Sequence, residues 1–141
     1  MYENDKFIQK VYSDINIDEF YGDVLYLGMG PLWVPRNQTD KVTSTTIIEN
    51  DKKIINQFSN FLKPEWVLIE ADAWEYKPSK NFDIIYADIW HRIINYEEVY
   101  RMFDKYKDYL KPNGQIKCLE RLIRNSSIPN GGTLTFKNTS K

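Results

Sequence analysis

Short apolar segments of strand length alternate with amphipathic helical segments along these 141 residues. That alternation predicts an α/β domain on a doubly wound, mostly parallel sheet, because parallel strands need helical crossovers. WVLIEA (66–71) and DIIYAD (83–88) are apolar almost throughout, the pattern of strands covered on both faces. The length suits one hydrophobic core, so a single domain spanning 1–141 is expected.

The elements follow in order. Ile8, Val11, Tyr12 and Ile15 share a face at helical spacing within 3–15. VLYLGM (24–29) reads as the first strand. Pro31 and Pro35 then restrict any helix to a brief one, and 37–45 reads as a loop. TTIIE (45–49) is β-branched and forms the second strand. Asn50 caps a helix whose face carries Ile54, Phe58 and Phe61 or Leu62, stopped by Lys63-Pro64. The third and fourth strands are the two apolar segments above. Val99, Phe103, Tyr106 and Leu110 mark a helix over 96–110, ended by KPNG (111–114). QIKCLE (115–120) is a fifth strand, RNSSIPNGG (124–132) a long turn, and TLTF (133–136) a last strand.

Composition excludes several classes. A net charge of -1 with 28% charged residues gives no reason to expect a nucleic-acid-binding surface or attraction to a membrane. Cys118 is the lone cysteine and lies in a strand pattern, so it reads as a small core residue; neither a disulfide nor a thiolate metal cluster is expected. No apolar run approaches the ~20 residues of a membrane span. The charged start, MYENDKFIQK, has no apolar signal-peptide core, and a cytoplasmic protein is the expectation.

Sheets of this kind bind ligands beyond the carboxyl ends of their strands, where strand order reverses. The residues at those exits are Gly28 and Gly30, then Glu49, then Asp72 and Ala73, then Asp88, Trp90 and His91. A glycine turn lets backbone N–H groups approach a ligand. Glu49, 21 residues after Gly28, suits the hydroxyls of a ribose. Asp72 can accept from an exocyclic amine of adenine. Asp88 faces the reacting end, where it could orient or deprotonate an amine. Each acid alone could equally be a solvated loop residue; their joint order points to a nucleoside.

With these residues in place the chain resembles the S-adenosylmethionine-dependent methyltransferases, and within them the spermidine synthase-like branch. VLYLGMG, TTIIENDKKII, IEADAWEY, FDIIYADIW and YLKPNGQIKCLE carry the resemblance. It implies a Rossmann-like fold with S-adenosylmethionine, or its decarboxylated form, as cofactor. Tyr26, Gly28, Met29 and Gly30 of the first motif would line the cofactor, with Glu49 and Asn50 at the ribose and Asp72 and Ala73 at the adenine. Asp88 would stand at the catalytic aspartate. Beside it, His91 reads as a catalytic general base or as a solvated loop histidine, and Trp90 as a lid over the substrate or as a core residue closing the sheet.

The departures are specific. The family usually carries an acid where Tyr26 stands and a third glycine where Leu32 stands. Leu32, Trp33 and the two prolines should narrow the cofactor's methionine end. Trp33 itself reads equally as a cover over the cofactor or as a plug. The branch's second aspartate is replaced by His91, and its N-terminal β-rich domain is not seen, so a minimal or altered member is implied. The expected activity is methyl, or less favourably aminopropyl, transfer to a small-molecule acceptor. The alternative is an adenosyl-ligand-binding or protein-interaction module without turnover; a homo-oligomer and a partner subunit are both open. A nicotinamide oxidoreductase gives no role to Asp72. A DNA amino-methyltransferase typically has a (D/N)PP(Y/F) loop where this chain has DIWH.

Overall fold

The structure, a computed structural model, describes residues 15–90, 94–119 and 133–139. Six strands form one sheet: β1 (Gly22–Leu27), β2 (Val42–Glu49), β3 (Val67–Glu70), β4 (Phe82–Ala87), β5 (Leu110–Leu119) and β6 (Thr133–Lys137). Three helices accompany them: α1 (Trp33–Asn37), α2 (Lys52–Phe58) and α3 (Tyr96–Tyr106). The sheet order is β3-β2-β1-β4-β5-β6. Strands β1 to β5 pair in parallel, and β6 is antiparallel to β5. The chain moves outward from β1 through β2 to β3, then returns to lay β4 on the other side of β1. Strand order therefore reverses between β1 and β4, which places the ligand crevice there.

The two-residue period of the strands sorts the core into two layers. Leu25 and Leu27 of β1, Ile85 and Ala87 of β4, and Ile116 and Cys118 of β5 face Val99, Met102, Phe103 and Tyr106 of α3. Val24 and Tyr26, Ile84 and Tyr86, and Ile47 of β2 face the other way, toward Phe20, Leu32, Val34 and Phe58. Helices thus cover both faces, as the doubly wound expectation requires. The α3 stripe of four buried residues carries about 1.5–3 kcal/mol of burial for each large side chain. Asn95 caps α3 by accepting the Glu98 N–H at 2.9 Å.

Several boundaries differ from expectation, each for a tertiary reason. β1 ends at Leu27 rather than Met29, because Gly28 turns the chain at φ 95°. β2 starts at Val42, inside the expected loop, because Val42 pairs with Gly22. Asp51, not Asn50, caps α2 by accepting the Lys53 N–H at 2.9 Å. β3 is an edge strand with Val67 51% exposed, so its apolar run does not mean cover on both faces. KPNG lies inside β5: pairing jumps from Phe82–Leu110 to Ile84–Gln115, and the extra residues bulge out with Asn113 at φ 67°. There, Asn113 N–H donates to Asn138 and Asn138 N–H to Gly114, both at 2.8 Å. α3 ends at Tyr106, followed by a 3-10 turn over Lys107–Tyr109. Of the expected N-terminal helix only Ile15 is described, and it is buried. The turn at 124–132 and His91 lie outside the described residues.

Candidate functional site

A cavity of ≈ 370 Å³ opens at the carboxyl ends of β1 to β4. β1 contributes Gly28 and Gly30, β2 Glu49, Asn50 and Asp51, the β3 exit Asp72, Ala73 and Trp74, and the β4 exit Asp88 and Ile89. Ile48, Ile54 and Ala71 add apolar surface. Its size and mix of apolar wall with a few polar groups suit a small organic ligand.

Glu49 organises the centre. Its Oε1 accepts the Met29 N–H at 2.8 Å, and its Oε2 accepts the N–H groups of Asn50 at 3.1 Å and Asp51 at 3.0 Å. One carboxylate thereby ties the glycine loop to the entry of α2. Oε1 has two lone pairs and accepts from one described donor, so it can accept a further hydrogen bond.

Asp72 is held differently. Its Oδ1 accepts the Trp74 N–H at 2.8 Å, while its carbonyl accepts from Glu75 and Tyr76 in a tight turn. Oδ2 accepts no hydrogen bond from a described residue. The buried Tyr106 hydroxyl donates to the Ala73 carbonyl at 2.6 Å, fastening this turn to the core under α3. Burial pushes the Tyr106 phenol far above its ordinary range, so it stays a donor. Arg101 lies 5.3 Å from the Trp74 ring and steadies the indole from α3.

Gly28 has an internal reason to be glycine. A Cβ there would stand 2.2 Å from the Asp88 carbonyl oxygen, and its φ of 95° excludes most other residues. The β1 and β4 exits are thereby packed backbone to backbone, with Asp88 N–H donating to the Leu27 carbonyl at 2.8 Å.

Thus Gly28, Gly30, Glu49, Asn50, Asp72, Ala73 and Asp88 are brought to one cavity. Other candidates are placed elsewhere. Tyr26 is buried in the core, its hydroxyl donating to Gln38 Oε1 at 2.7 Å, and Gln38 in turn donates to Thr45. Met29 meets the site only through its backbone, with its side chain packed inside. Trp90 is 7% exposed, and its ring N–H donates to Glu98 on α3 at 3.0 Å. Of the two readings of Trp90, lid or core residue, its indole has the packing of the second, and Trp90 is not among the described residues that line the cavity. The side chains that sequence reasoning passed over are Trp74, Ile54 and Ile89. The tryptophan two residues after Asp72 was the available signal for the first.

Leu32, where the resembled motif has its third glycine, keeps a left-handed backbone, φ 60° and ψ 28°, with its side chain fully buried. α1 is five residues long, as the prolines require, and Pro35 fits in its first turn where N–H groups have no helical acceptor. No described helix is long and apolar enough to cross a membrane.

No family model and no curated protein sequence matches the chain. Solved structures do. The DhpI complex with S-adenosylhomocysteine superposes with a TM-score of 0.65 at 12% identity, covering 95% of this chain and 68% of that one. The N-methyltransferase NodS of Bradyrhizobium japonicum gives 0.57 at 12% identity, covering 84% and 70%. An S-adenosylmethionine-dependent methyltransferase of Clostridium acetobutylicum gives 0.56 at 21% identity over 81% of this chain, which spans only 48% of it. Strand order, glycine loop and these likenesses agree: the chain has the class I fold of the S-adenosylmethionine-dependent methyltransferases.

Proposed function

We propose that the cavity binds an S-adenosylmethionine-type nucleoside and that the chain transfers its methyl group to a small-molecule acceptor. The observation that carries this reading is the cavity at the sheet's reversal point, walled by Glu49, Asp72 and Asp88 from three strand exits and floored by Gly28 and Gly30. The donor set fits such a group. The acids suit ribose hydroxyls, an adenine amine and a positively charged sulfonium, whereas a dinucleotide pyrophosphate would meet like charge.

In this reading Glu49 Oε1 accepts from the ribose, and Asp72 Oδ2 accepts from the adenine amine, with Trp74 and Ile54 against the base. When bound, the cofactor supplies a methyl group activated by its sulfonium. Asp88, at the β4 exit, holds the acceptor amine in line and takes its proton. His91 remains a candidate for the same proton. Catalysis would rest chiefly on positioning in a partly desolvated site. Support for the cofactor comes from fold neighbours crystallised with S-adenosylhomocysteine and S-adenosylmethionine.

Aminopropyl transfer, the reaction of the resembled synthase branch, stands as the finer variant of the same chemistry. Binding without turnover is the second reading, favoured by the burial of Trp90, which leaves that indole unavailable to cover an acceptor. A cytoplasmic setting, a small acceptor rather than nucleic acid or membrane, and completion by a second copy or a partner subunit belong to the proposal as well.

Calorimetric titration with S-adenosylmethionine, decarboxylated S-adenosylmethionine and NAD tests it. Binding of an adenosyl sulfur compound that is lost in Asp72→Asn and Glu49→Ala supports the site. Preference for the decarboxylated compound selects the aminopropyl variant, and NAD binding alone would overturn the reading.

A further inference from the structure

β6 stands at one end of the sheet, antiparallel to β5 in an unbroken register from Gln115–Lys137 to Leu119–Thr133. Its sequence, TLTFK, holds no proline and its register no bulge, the usual devices that keep an edge strand from pairing again. The opposite edge, β3, is shorter at four residues and ends on Glu70, 3.8 Å from Lys52.

A groove of ≈ 440 Å³ runs between β6 and α3, lined chiefly by Tyr100, Phe103, Leu134 and Phe136. The rings continue one another, Tyr100 to Phe103 at 6.3 Å and Phe103 to Phe136 at 6.1 Å. Tyr100 is 54% exposed, the most open large hydrophobic side chain among the described residues. An apolar groove joined to a strand edge is the surface that strand addition uses.

Two-fold symmetry selects the partner. Antiparallel pairing of β6 with its own copy keeps opposed residues on one face, and only a register centred on Thr135 pairs all five residues. Leu134 then lies opposite Phe136 of the second copy, twice over, on the groove side. Thr135 opposes itself, and Thr133 opposes Lys137. Apolar and Thr–Thr pairs are favourable cross-strand neighbours, and this register sets no like charges against each other.

Charge along the groove suits the same arrangement. α3 carries the chain back from the end of β4 to the start of β5, so it runs in the same direction as β6. Glu97, Tyr100, Asp104 and Lys107 form an exposed stripe on it, at spacings of three and four. The stripe begins with an acid and ends with a cation, Lys107, which pairs with Asp104 at 3.1 Å. The two-fold reverses one copy against the other, so the Lys107 and Lys137 end of each approaches the Glu97 end of its partner.

We propose that β6 is a dimerisation edge for a second copy of this chain. Two β6 strands pair antiparallel about an axis at Thr135, joining the sheets and closing the two grooves against each other. β5 separates β6 from β4, so the cavity at the β1 and β4 exits stays open in the dimer. The dimer therefore stands independently of what that cavity binds.

Sedimentation velocity of the whole protein over a concentration series, up to about 100 μM, tests this directly. A concentration-dependent dimer is expected, and monomer throughout overturns the proposal. Thr135→Lys sets two cations face to face on the axis, at an exposed position, and should weaken the dimer about tenfold with an unchanged circular dichroism spectrum. A dimer that this variant leaves intact lies on another surface and overturns the proposal as well. Thr135→Cys, oxidised with diamide, should cross-link to its own copy, since Cys118 is buried and does not compete. Thr133→Cys, set opposite Lys137 instead of itself, should cross-link at least about tenfold more slowly. Equal or faster cross-linking at position 133 overturns the register.

Discussion

The two ends of the sheet carry the same kinds of residue and use them in opposite ways. At the amino end, where β1 and β4 begin, Asp23 and Asp83 are closed around lysines. Lys111 Nζ lies 2.8 Å from Asp23 and 3.1 Å from Asp83, Lys80 lies 3.6 Å from Asp23, and Ser44 donates to Asp23. At the carboxyl end, Glu49 and Asp72 make no ion pair with a described residue and are held by backbone N–H groups alone. Charge met by charge finishes an interaction. Charge met by peptide dipoles fixes the carboxylate yet keeps its sign, which a donor-bearing or cationic ligand can use. The first end is scaffold, and the second has the character of a site.

The comparison can be broken most forcefully at Gly28. Gly28→Ala places a Cβ against the Asp88 carbonyl in a conformation unsuited to alanine, and should destabilise by about 3 kcal/mol or more in urea unfolding. A loss under about 1 kcal/mol would mean that the β1 and β4 exits are not locked together.

Glu49→Ala comes next. It leaves three backbone N–H groups without their acceptor, and about 2–3 kcal/mol should be lost. These bonds are short-range, so the loss should hold between low and high salt. Lys111→Met at the opposite end should remove about 1 kcal/mol, since the lysine is 39% exposed and its pairs are partly screened. That loss should shrink as salt rises, with the contrast between the two variants read from unfolding at low salt and at 1 M.

Acid separates the ends as well. The Lys111 and Ser44 hydrogen bonds depress the Asp23 carboxyl from 3.8 to about 2. A lowered folded-state pKa gives stability that is present above the unfolded value and lost as pH falls through the folded one. The contribution, about 1 kcal/mol after allowance for exposure, should therefore vanish between pH 4 and pH 2, and Asp23→Asn should flatten that limb of the stability curve. Asp72→Asn should do least to the fold, within about 0.5 kcal/mol, because Oδ1 can still accept from Trp74. Its effect should appear in adenosyl-ligand affinity instead.

Much of the candidate cavity's lining was legible because strand exits follow one another in sequence, and the sheet converts that order into neighbours. Gly28, Glu49, Asp72 and Asp88 needed only correct strand ends to be collected. Trp90 stayed open between lid and core residue because nothing local tells the two apart; the hydrogen bond to Glu98, eight residues on, is a tertiary contact the sequence does not display. KPNG was misread for a similar reason. Its residues make a turn, and whether that turn ends an element or bulges within one depends on β4 and Asn138 beside it.

The sequence by itself determined the alternation of strands and helices, the two-faced core and the order of acids at the strand exits. These depend on periodicity and connectivity, which are properties of the chain alone. Tertiary structure alone decided that Gly28 makes room for Asp88, that Leu32 stays left-handed to fill a closed space, and that Asp23 is matched by lysines while Glu49 is not. Those outcomes depend on distances between residues as far apart as 23 and 111, and only the packed sheet sets such distances.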